Sequence, residues 1–146
     1  MYLKLIEYGS NEYYQAAQIR YQLFYPEHNI PFESIFDHQE EKDLHLAITT
    51  TQTDRVLAYG RLSQNSCFEF QIHQMVVLPH YQRQGLGKRI LQALINSASA
   101  RGARLVVLNA RVTKTQFYQK FGFEPVGKVF ASSTTGVAHI KMQKKI

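Results

Sequence analysis

The sequence predicts an α/β layered fold, a single domain whose mixed, mostly antiparallel sheet carries helices on both faces. The patterns follow one another as strand, helices, three strands, helix, strand, helix and two strands, an order typical of layered α/β domains. The segment from Gln71 to Ala110 reads as strand, helix and strand, which implies a crossover between parallel strands. A chain of 146 residues can bury one sizeable core but not two, so residues 1–146 are expected to form one domain.

Each element is predicted from the spacing of its apolar residues and from the turn residues at its ends. Alternating or continuous apolar patterns predict strands over 2–8, 44–51, 56–62, 67–78, 104–110, 123–130 and 137–142. Helical spacing predicts helices over 11–25, 85–100 and 113–121. The acidic segment 32–43 is expected to form a short helix or a loop.

A polar turn with two glycines, Gly85 and Gly87, separates the central strand from the central helix. Glycines let the backbone approach a ligand closely, and the free N–H groups at a helix start favour an anion. Arg83 and Lys88 add positive charge to the same turn. The turn therefore suits a phosphate or pyrophosphate, with a capped surface helix behind a solvated basic turn as the alternative.

Motifs and composition narrow the choice of ligand and compartment. A P-loop would need Ser or Thr where Arg89 stands, and a dinucleotide-binding fingerprint would need glycine in place of Ile90. No Cys/His spacing indicates a metal site, and no apolar window is long enough to span a membrane. Cys67 is the only cysteine, which agrees with the expected cytoplasmic location. The net charge of +6 suits an anionic partner, such as coenzyme A or nucleic acid.

The spacing of Gln82, Gly85 and Gly87 resembles the turn that holds the pyrophosphate of acetyl-CoA in the GNAT superfamily of N-acetyltransferases. A second segment, residues 108–127, also resembles this superfamily, in which two strands splay apart and the pantetheine arm lies in the gap. The resemblance implies acetyl-CoA as co-substrate and no metal. It also implies these donor-binding residues: Met75, Val76, Val77, Gln82, Arg83, Gln84, Gly85, Leu86, Gly87, Lys88, Asn109, Phe117 and Tyr118.

The resemblance covers nearly the whole chain and extends to the ElaA-like subgroup of GNAT proteins. It rests on Arg20 and Phe24 in the first helix, on the segments 26–31 and 58–62, and on His139 followed by Met142. The chain departs from the subgroup at Leu23 and His28, and carries Ser133-Thr134-Thr135 where members often have an acidic pair. Because members of this subgroup largely lack a defined substrate, the resemblance specifies the fold more closely than the acceptor.

Acetyl transfer to an amine needs a polarised thioester, a proton acceptor for the ammonium and a proton donor for the leaving thiolate. The resemblance gives the donor role to Tyr118, whose ordinary pKa near 10 keeps the phenol protonated; the alternative is an aromatic residue that only packs. Strand alternation puts residues 69, 71, 73 and 75 on one face. His73 is therefore the candidate base, with Glu69 as second choice, whereas Gln71 cannot take a proton. A structural histidine, with an amine that binds already neutral, is the alternative.

Polar residues in apolar elements mark a candidate acceptor site. Arg20, Arg61 and His139 either pair with the acidic stretch 37–43 or line an acceptor pocket, in which Glu33, Asp37 or Glu41 attracts a cationic amine. The predicted function is direct acetyl transfer from acetyl-CoA to a primary amine of a small molecule or protein. A non-catalytic acyl-CoA-binding module is the alternative, and nucleic-acid binding rests on charge alone. No nucleic acid or membrane partner is expected, and a homodimer is one alternative for the assembly.

Overall fold

The computed structural model describes residues 1–24 and 29–146, and its elements follow the predicted order. The strands are β1 (Tyr2–Ile6), β2 (Leu44–Thr49), β3 (Val56–Gln64), β4 (Glu69–Val77), β5 (Leu105–Arg111), β6 (Glu124–Ala131) and β7 (Ala138–Lys145). The α-helices are α1 (Asn11–Phe24), α2 (Leu86–Ala100) and α3 (Thr115–Gln119). Short 3-10 turns occupy Phe32–Ile35, Pro79–Tyr81 and Val112–Lys114. Tyr25, the last residue of the predicted first helix, and residues 26–28 of the ElaA-like segment lie outside the described residues.

All seven strands form one sheet in the order β1-β2-β3-β4-β5-β7-β6. The pairing of β4 with β5 is parallel, and each other neighbouring pair is antiparallel. Helix α2 connects the two parallel strands, as the strand–helix–strand pattern predicted. The predicted fold class, a mixed and mostly antiparallel sheet with helices, is thus confirmed.

Helices cover both faces of the sheet and divide its core in two. The α2 face is packed by the apolar stripe of that helix, in which all six positions of the predicted period are buried: Leu86, Ile90, Leu91, Leu94, Ile95 and Ala98. On the opposite face, Tyr13, Ala16 and Ile19 of α1 pack against Tyr59 and Val76. The sheet is therefore buried on both sides at its centre.

Close packing of α2 on the sheet requires a glycine in β3. A Cβ atom at Gly60 would lie 2.7 Å from the Ile90 side chain and 2.8 Å from that of Leu94, closer than such atoms approach one another. Any larger residue at position 60 would push α2 away from the sheet centre.

Several strand boundaries differ from the prediction, and hydrogen bonds explain two of these differences. The predicted strand 67–78 begins only at Glu69, because the Ser66 hydroxyl accepts hydrogen bonds from the N–H groups of Phe68 and Glu69 and closes a turn. The last strand continues past Met142 to Lys145, since Lys144 and Lys145 pair with Val106 and Leu105 of β5. The lysine-rich end of β7 is thus part of the sheet.

Candidate active site

The two parallel strands diverge half-way along their length. Residues Glu69–Ile72 of β4 pair with Leu105–Leu108 of β5, but β4 continues to Val77 and β5 to Arg111 without further pairing between them. The unpaired ends leave a gap in the middle of the sheet. Asn109 lies on β5 just beyond the last pair, and its side chain is exposed.

The polar turn lies at the end of β4, beside this gap. Gly85 adopts a φ of +84°, a left-handed conformation that glycine takes without strain and other residues rarely adopt. The first hydrogen bond of α2 runs from the Arg89 N–H to the Gly85 carbonyl at 3.1 Å. Within the described residues, the N–H groups of residues 86–88 therefore make no hydrogen bond and are free to bind an anion.

Side chains fix this turn to the strand and leave its charges in solvent. The Gln82 amide nitrogen donates to the Val77 carbonyl at 3.0 Å, and the Gln84 amide nitrogen donates to the His80 carbonyl at 3.3 Å. Arg83 and Lys88 are both exposed. The predicted combination of free N–H groups, glycine and positive charge is therefore assembled at one place.

Helix α3 closes the third side of the gap. A Cβ atom at Gly87 would lie 3.7 Å from the Val77 side chain and 3.9 Å from the Phe117 ring, so the start of α2, the end of β4 and α3 converge there. Tyr118 follows on α3, half-buried, with its ring 5.1 Å from that of Phe117 and 6.1 Å from that of Phe123. These residues belong to the same core as α2.

The Tyr118 phenol is protonated and has no hydrogen-bond partner among the described residues. Burial raises the pKa of Tyr118 to about 12, so the phenol stays protonated at ordinary pH. Its hydroxyl makes no hydrogen bond to any of the residues that the structure describes. A protonated hydroxyl without a partner can donate to a group that enters the gap.

A β-bulge in β4 changes which side chains share a face. Tyr59 pairs with Val76 and Arg61 with His73, so Gln74 and Met75 together oppose Gly60. Gln74 takes a φ of +56°. The extra residue reverses the alternation, and Met75 packs into the α2 core while His73 pairs with Arg61 on the face of α1. The predicted common face of residues 69, 71, 73 and 75 is therefore wrong at residue 75.

His73 is a neutral histidine with one free ring nitrogen. Burial, and next the positive charge of Arg61, lower the pKa of His73 to about 4, so the imidazole is neutral at pH 7. Its Nε2 atom is buried and has no hydrogen-bond partner among the described residues. A buried polar atom without a partner costs free energy unless a ligand or water satisfies it. His73 can therefore accept a proton or a hydrogen bond.

Arg20 is held in a buried ion pair. Its guanidinium donates to both Glu40 carboxylate oxygens, at 2.8 and 3.1 Å, and to the Ile35 carbonyl at 3.1 Å. Both side chains are completely buried. Burial alone would raise the pKa of Glu40, but hydrogen bonds from Arg20, the Arg20 charge and the Tyr13 hydroxyl lower it to about 2. Of the two alternatives for Arg20, the structure therefore shows the ion pair, and its partner Glu40 lies in the acidic stretch 37–43.

Arg61 forms a second pair of the same kind. Its guanidinium donates to Asp43 at 2.6 Å, and the Ser63 hydroxyl donates to the same carboxylate oxygen at 2.8 Å. Both charged side chains are buried. The two arginines predicted for an acceptor pocket are therefore engaged in tying the segment before β2 to the sheet.

The two remaining acceptor candidates lie apart from each other. Asp37 is partly exposed and accepts a hydrogen bond from the Gln39 N–H. His139, in β7, bonds through Nδ1 to the Val137 carbonyl and stacks on Phe130. The sequence pattern did not single out Gln74 or Glu40; Glu40 lay within a charged stretch, whereas nothing local marked Gln74.

Comparison with known proteins shows the family to which this chain belongs. A sequence model described as an acetyltransferase (GNAT) domain matches residues 15–146, nearly the whole chain. The chain is a member of the GNAT family. It is therefore an acyltransferase, as its resemblance to the family implied.

Two relatives, one of them with a solved structure, are similar to this chain over most of its length. The uncharacterized N-acetyltransferase YjcF of Bacillus subtilis is 27% identical over 130 residues, covering 88% of this chain and 89% of YjcF. ElaA of Escherichia coli is 24% identical over 143 residues, 96% of this chain and 92% of ElaA. The ElaA crystal structure superposes with a TM-score of 0.79 over 99% of both chains at 22% identity. The expected likeness to ElaA is confirmed.

An aminoglycoside 6′-N-acetyltransferase, solved in complex with coenzyme A, has the same fold. Its TM-score is 0.79 at 16% identity, over 99% of this chain and 97% of that enzyme. In the described part of this GNAT chain, no three His, Cys, Asp or Glu residues are grouped as metal ligands. None of the described helices is long and apolar enough to cross a membrane.

Proposed function

We propose that this GNAT protein transfers an acetyl group from acetyl-CoA directly to a primary amine. The observation that carries the proposal is the gap between β4 and β5, which opens beside a turn with free N–H groups and below α3. The coenzyme A complex of the aminoglycoside enzyme with the same fold supports this choice of donor. A cytoplasmic location belongs to the proposal, because one cysteine and a thioester both suit a reducing compartment.

The residues at the gap fit acetyl-CoA. The N–H groups of residues 86–88 and the charges of Arg83 and Lys88 suit a pyrophosphate. The remaining proposed contacts come from the unpaired strand ends and α3. They are Met75, Val76 and Val77 on β4, Asn109 on β5, and Phe117 and Tyr118 on α3.

Tyr118 acts in this proposal as the general acid. The amine nitrogen forms its bond to the carbonyl carbon as the C–S bond of the thioester breaks, and the phenol donates its proton to the thiolate sulfur. The nitrogen then loses its extra proton to become the amide, and the phenolate of Tyr118 regains that proton through water. The raised pKa of Tyr118 keeps the phenol proton in place until the C–S bond breaks.

His73 acts as the general base on the opposite face of the sheet. Its free Nε2 atom accepts the proton that the ammonium must lose before its nitrogen attacks the thioester carbon. The pKa of about 4 makes the imidazole a weak base, so the proton passes onward to water. No acyl-enzyme is formed, because Cys67, the only cysteine, lies before β4, at the end of that strand remote from the turn.

The acceptor in this proposal is a primary amine of a small molecule or of a protein. Asp37 is the proposed attraction for a cationic acceptor, since its carboxylate is partly exposed and has no arginine partner among the described residues. His139 is a proposed contact on the β7 side of the site. Arg20 and Arg61 are not part of the proposed acceptor site, because their guanidinium groups already form ion pairs with buried carboxylates.

Two assays test the proposal together. Acetyl-CoA at about 100 times its Kd should add about 2.7 kcal/mol to the free energy of unfolding, a clear rise in melting temperature. Thiol release should then be measured over a panel of aminoglycosides, amino acids, polyamines and peptides with free α-amino groups. Release with one amine class supports the proposal. Stabilisation without release over the whole panel would favour an acyl-CoA-binding module, and no stabilisation would contradict the proposed donor site.

A further inference from the structure

The bulge in β4 is held in place by a residue from another element. Gln74 is not a glycine, yet it adopts a φ of +56°, a conformation that costs about 1 kcal/mol or more outside glycine. Such strain persists only where the surroundings hold the backbone in place. Here the Gln74 side chain oxygen accepts a hydrogen bond from the Arg20 Nε atom of α1 at 3.3 Å.

The Arg20 side chain is itself held in place, so the hydrogen bond to Gln74 comes from a donor with a fixed position. Its other donors bind Glu40 and the Ile35 carbonyl. Glu40 in turn accepts hydrogen bonds from the Tyr13 hydroxyl at 2.6 Å and from the Asp37 N–H at 2.7 Å. The guanidinium of Arg20, fixed by these hydrogen bonds, therefore links α1 to the bulge.

The bulge lies beside the gap between β4 and β5, in which the proposed function places acetyl-CoA. Gln74 and Met75 together oppose Gly60, so the regular ladder is interrupted between His73 and Val76. This interruption frees backbone groups from the β3 ladder immediately before the strand end that lines the gap. A backbone N–H aimed at a carbonyl oxygen is a strong device for polarising it.

We propose that Arg20 and Gln74 are positioning residues for acetyl transfer: Arg20, through the Gln74 side chain, fixes the bulge backbone that polarises the thioester carbonyl. This inference rests on the proposed function, because it assumes that acetyl-CoA lies in the gap. It assigns the buried pair Arg20–Glu40 a role in catalysis besides its role in stability.

The test is Gln74→Gly, with Gln15→Ala as matched control. Glycine adopts positive φ freely, so Gln74→Gly removes the link to Arg20 without adding strain. Gln15 is a second α1-to-sheet link, since its side chain oxygen accepts a hydrogen bond from the Val56 N–H at 3.0 Å, on β3 rather than on the bulged strand. Gln74→Gly should lower kcat by about tenfold or more, with acetyl-CoA affinity changed less than twofold. Gln15→Ala should leave kcat unchanged.

An infrared measurement gives a readout that a purely structural role would not move. Acetyl-CoA labelled with ¹³C at the thioester carbonyl is bound to each variant, and its C=O stretching band is recorded. The band should lie at lower frequency in wild type and in Gln15→Ala than in Gln74→Gly, because a positioned N–H weakens the C=O bond. If the band of Gln74→Gly has the same frequency as that of wild type, the positioning role is overturned and the proposed function is not affected. The same holds if Gln74→Gly no longer binds acetyl-CoA. A wild type that fails to bind acetyl-CoA overturns the proposed function as well.

Discussion

The two sides of the gap are built in different ways. We define the donor side as the turn 82–88 with the ends of β4 and β5 and α3, and the acceptor side as α1, the segment 32–43 and the α1 face of the sheet. The donor side presents backbone N–H groups from one short segment. The acceptor side is held by buried side-chain pairs whose partners are about 20 residues apart in sequence.

This difference has a physical reason. A coenzyme A pyrophosphate can be bound by main-chain groups and glycine, which tolerate changes in most side chains. A site for one amine instead needs specific side chains, held in place by hydrogen bonds from several elements. Under the proposed function, main-chain groups therefore serve the donor side and specific side chains serve the acceptor side.

The largest expected effect is on the acceptor side. Arg20→Met would leave the Glu40 carboxylate buried without its cation, and loss of one partner from a buried pair costs about 3–5 kcal/mol. Lys4→Met is the control, because Lys4 pairs with Glu12 and Asp54 at the surface, and such exposed pairs contribute little to stability. Urea denaturation measures both changes in the free energy of unfolding. Equal losses for the two variants would contradict the central role of the buried pair.

On the donor side, Tyr118→Phe should lower kcat by about 100-fold or more while acetyl-CoA affinity changes less than twofold. The hydroxyl makes no hydrogen bond to the described residues, so the melting temperature should hardly change. Tyr14→Phe is the control, because Tyr14 is exposed on α1. Steady-state kinetics and calorimetry separate the two effects. Matching losses of kcat and affinity would instead indicate that Tyr118 only packs.

A smaller effect is expected in acid. His73, with its pKa lowered to about 4, binds a proton in the unfolded chain near pH 6.5 but not in the folded one. Its stabilising contribution is thus complete above pH 6.5 and is lost as the pH falls towards 4. The loss should be on the order of 3 kcal/mol, from 1.36 kcal/mol for each of the roughly 2.5 pKa units between 6.5 and 4.

The variant His73→Gln should flatten this acid-dependent slope in part. Part of the slope should remain in this variant, because burial lowers the pKa of His45 as well. His38→Gln is the control, since the His38 side chain is 91% exposed. Urea titrations between pH 4 and 7 provide the measurement. An unchanged slope in His73→Gln would show that folding does not lower the pKa of His73.

The smallest expected effect compares two glycines of the same turn. Gly85→Ala should destabilise the protein by about 1 kcal/mol, because alanine at a φ of +84° is strained. Gly87→Ala should be nearly neutral, since a Cβ there would make only ordinary contacts of 3.7 and 3.9 Å. Thermal unfolding of both variants checks this order, and the opposite order would mean that the turn has another conformation.

How much the sequence predicts follows the same division. The turn and the α2 stripe were predicted residue by residue, because both depend on spacing within one segment. The bulge could not be predicted, since the conformation of Gln74 depends on Arg20, 54 residues earlier. The ion-pair alternative was open, but only the fold selects Glu40 for Arg20 and Asp43 for Arg61. The end of β7 at Lys145 depends in the same way on its partner β5.

The most direct test of the donor site is the affinity of acetyl-CoA, measured by titration calorimetry, for wild type, Gly87→Ala and Gly87→Asp. An aspartate in the first turn of α2 suits the helix dipole and has room for its Cβ, so the protein should remain folded. Its carboxylate would occupy the free N–H groups and repel a pyrophosphate. We predict that wild type and Gly87→Ala bind acetyl-CoA and that Gly87→Asp binds it at least about tenfold more weakly. Equal affinity in all three, or no binding by wild type, would contradict the account.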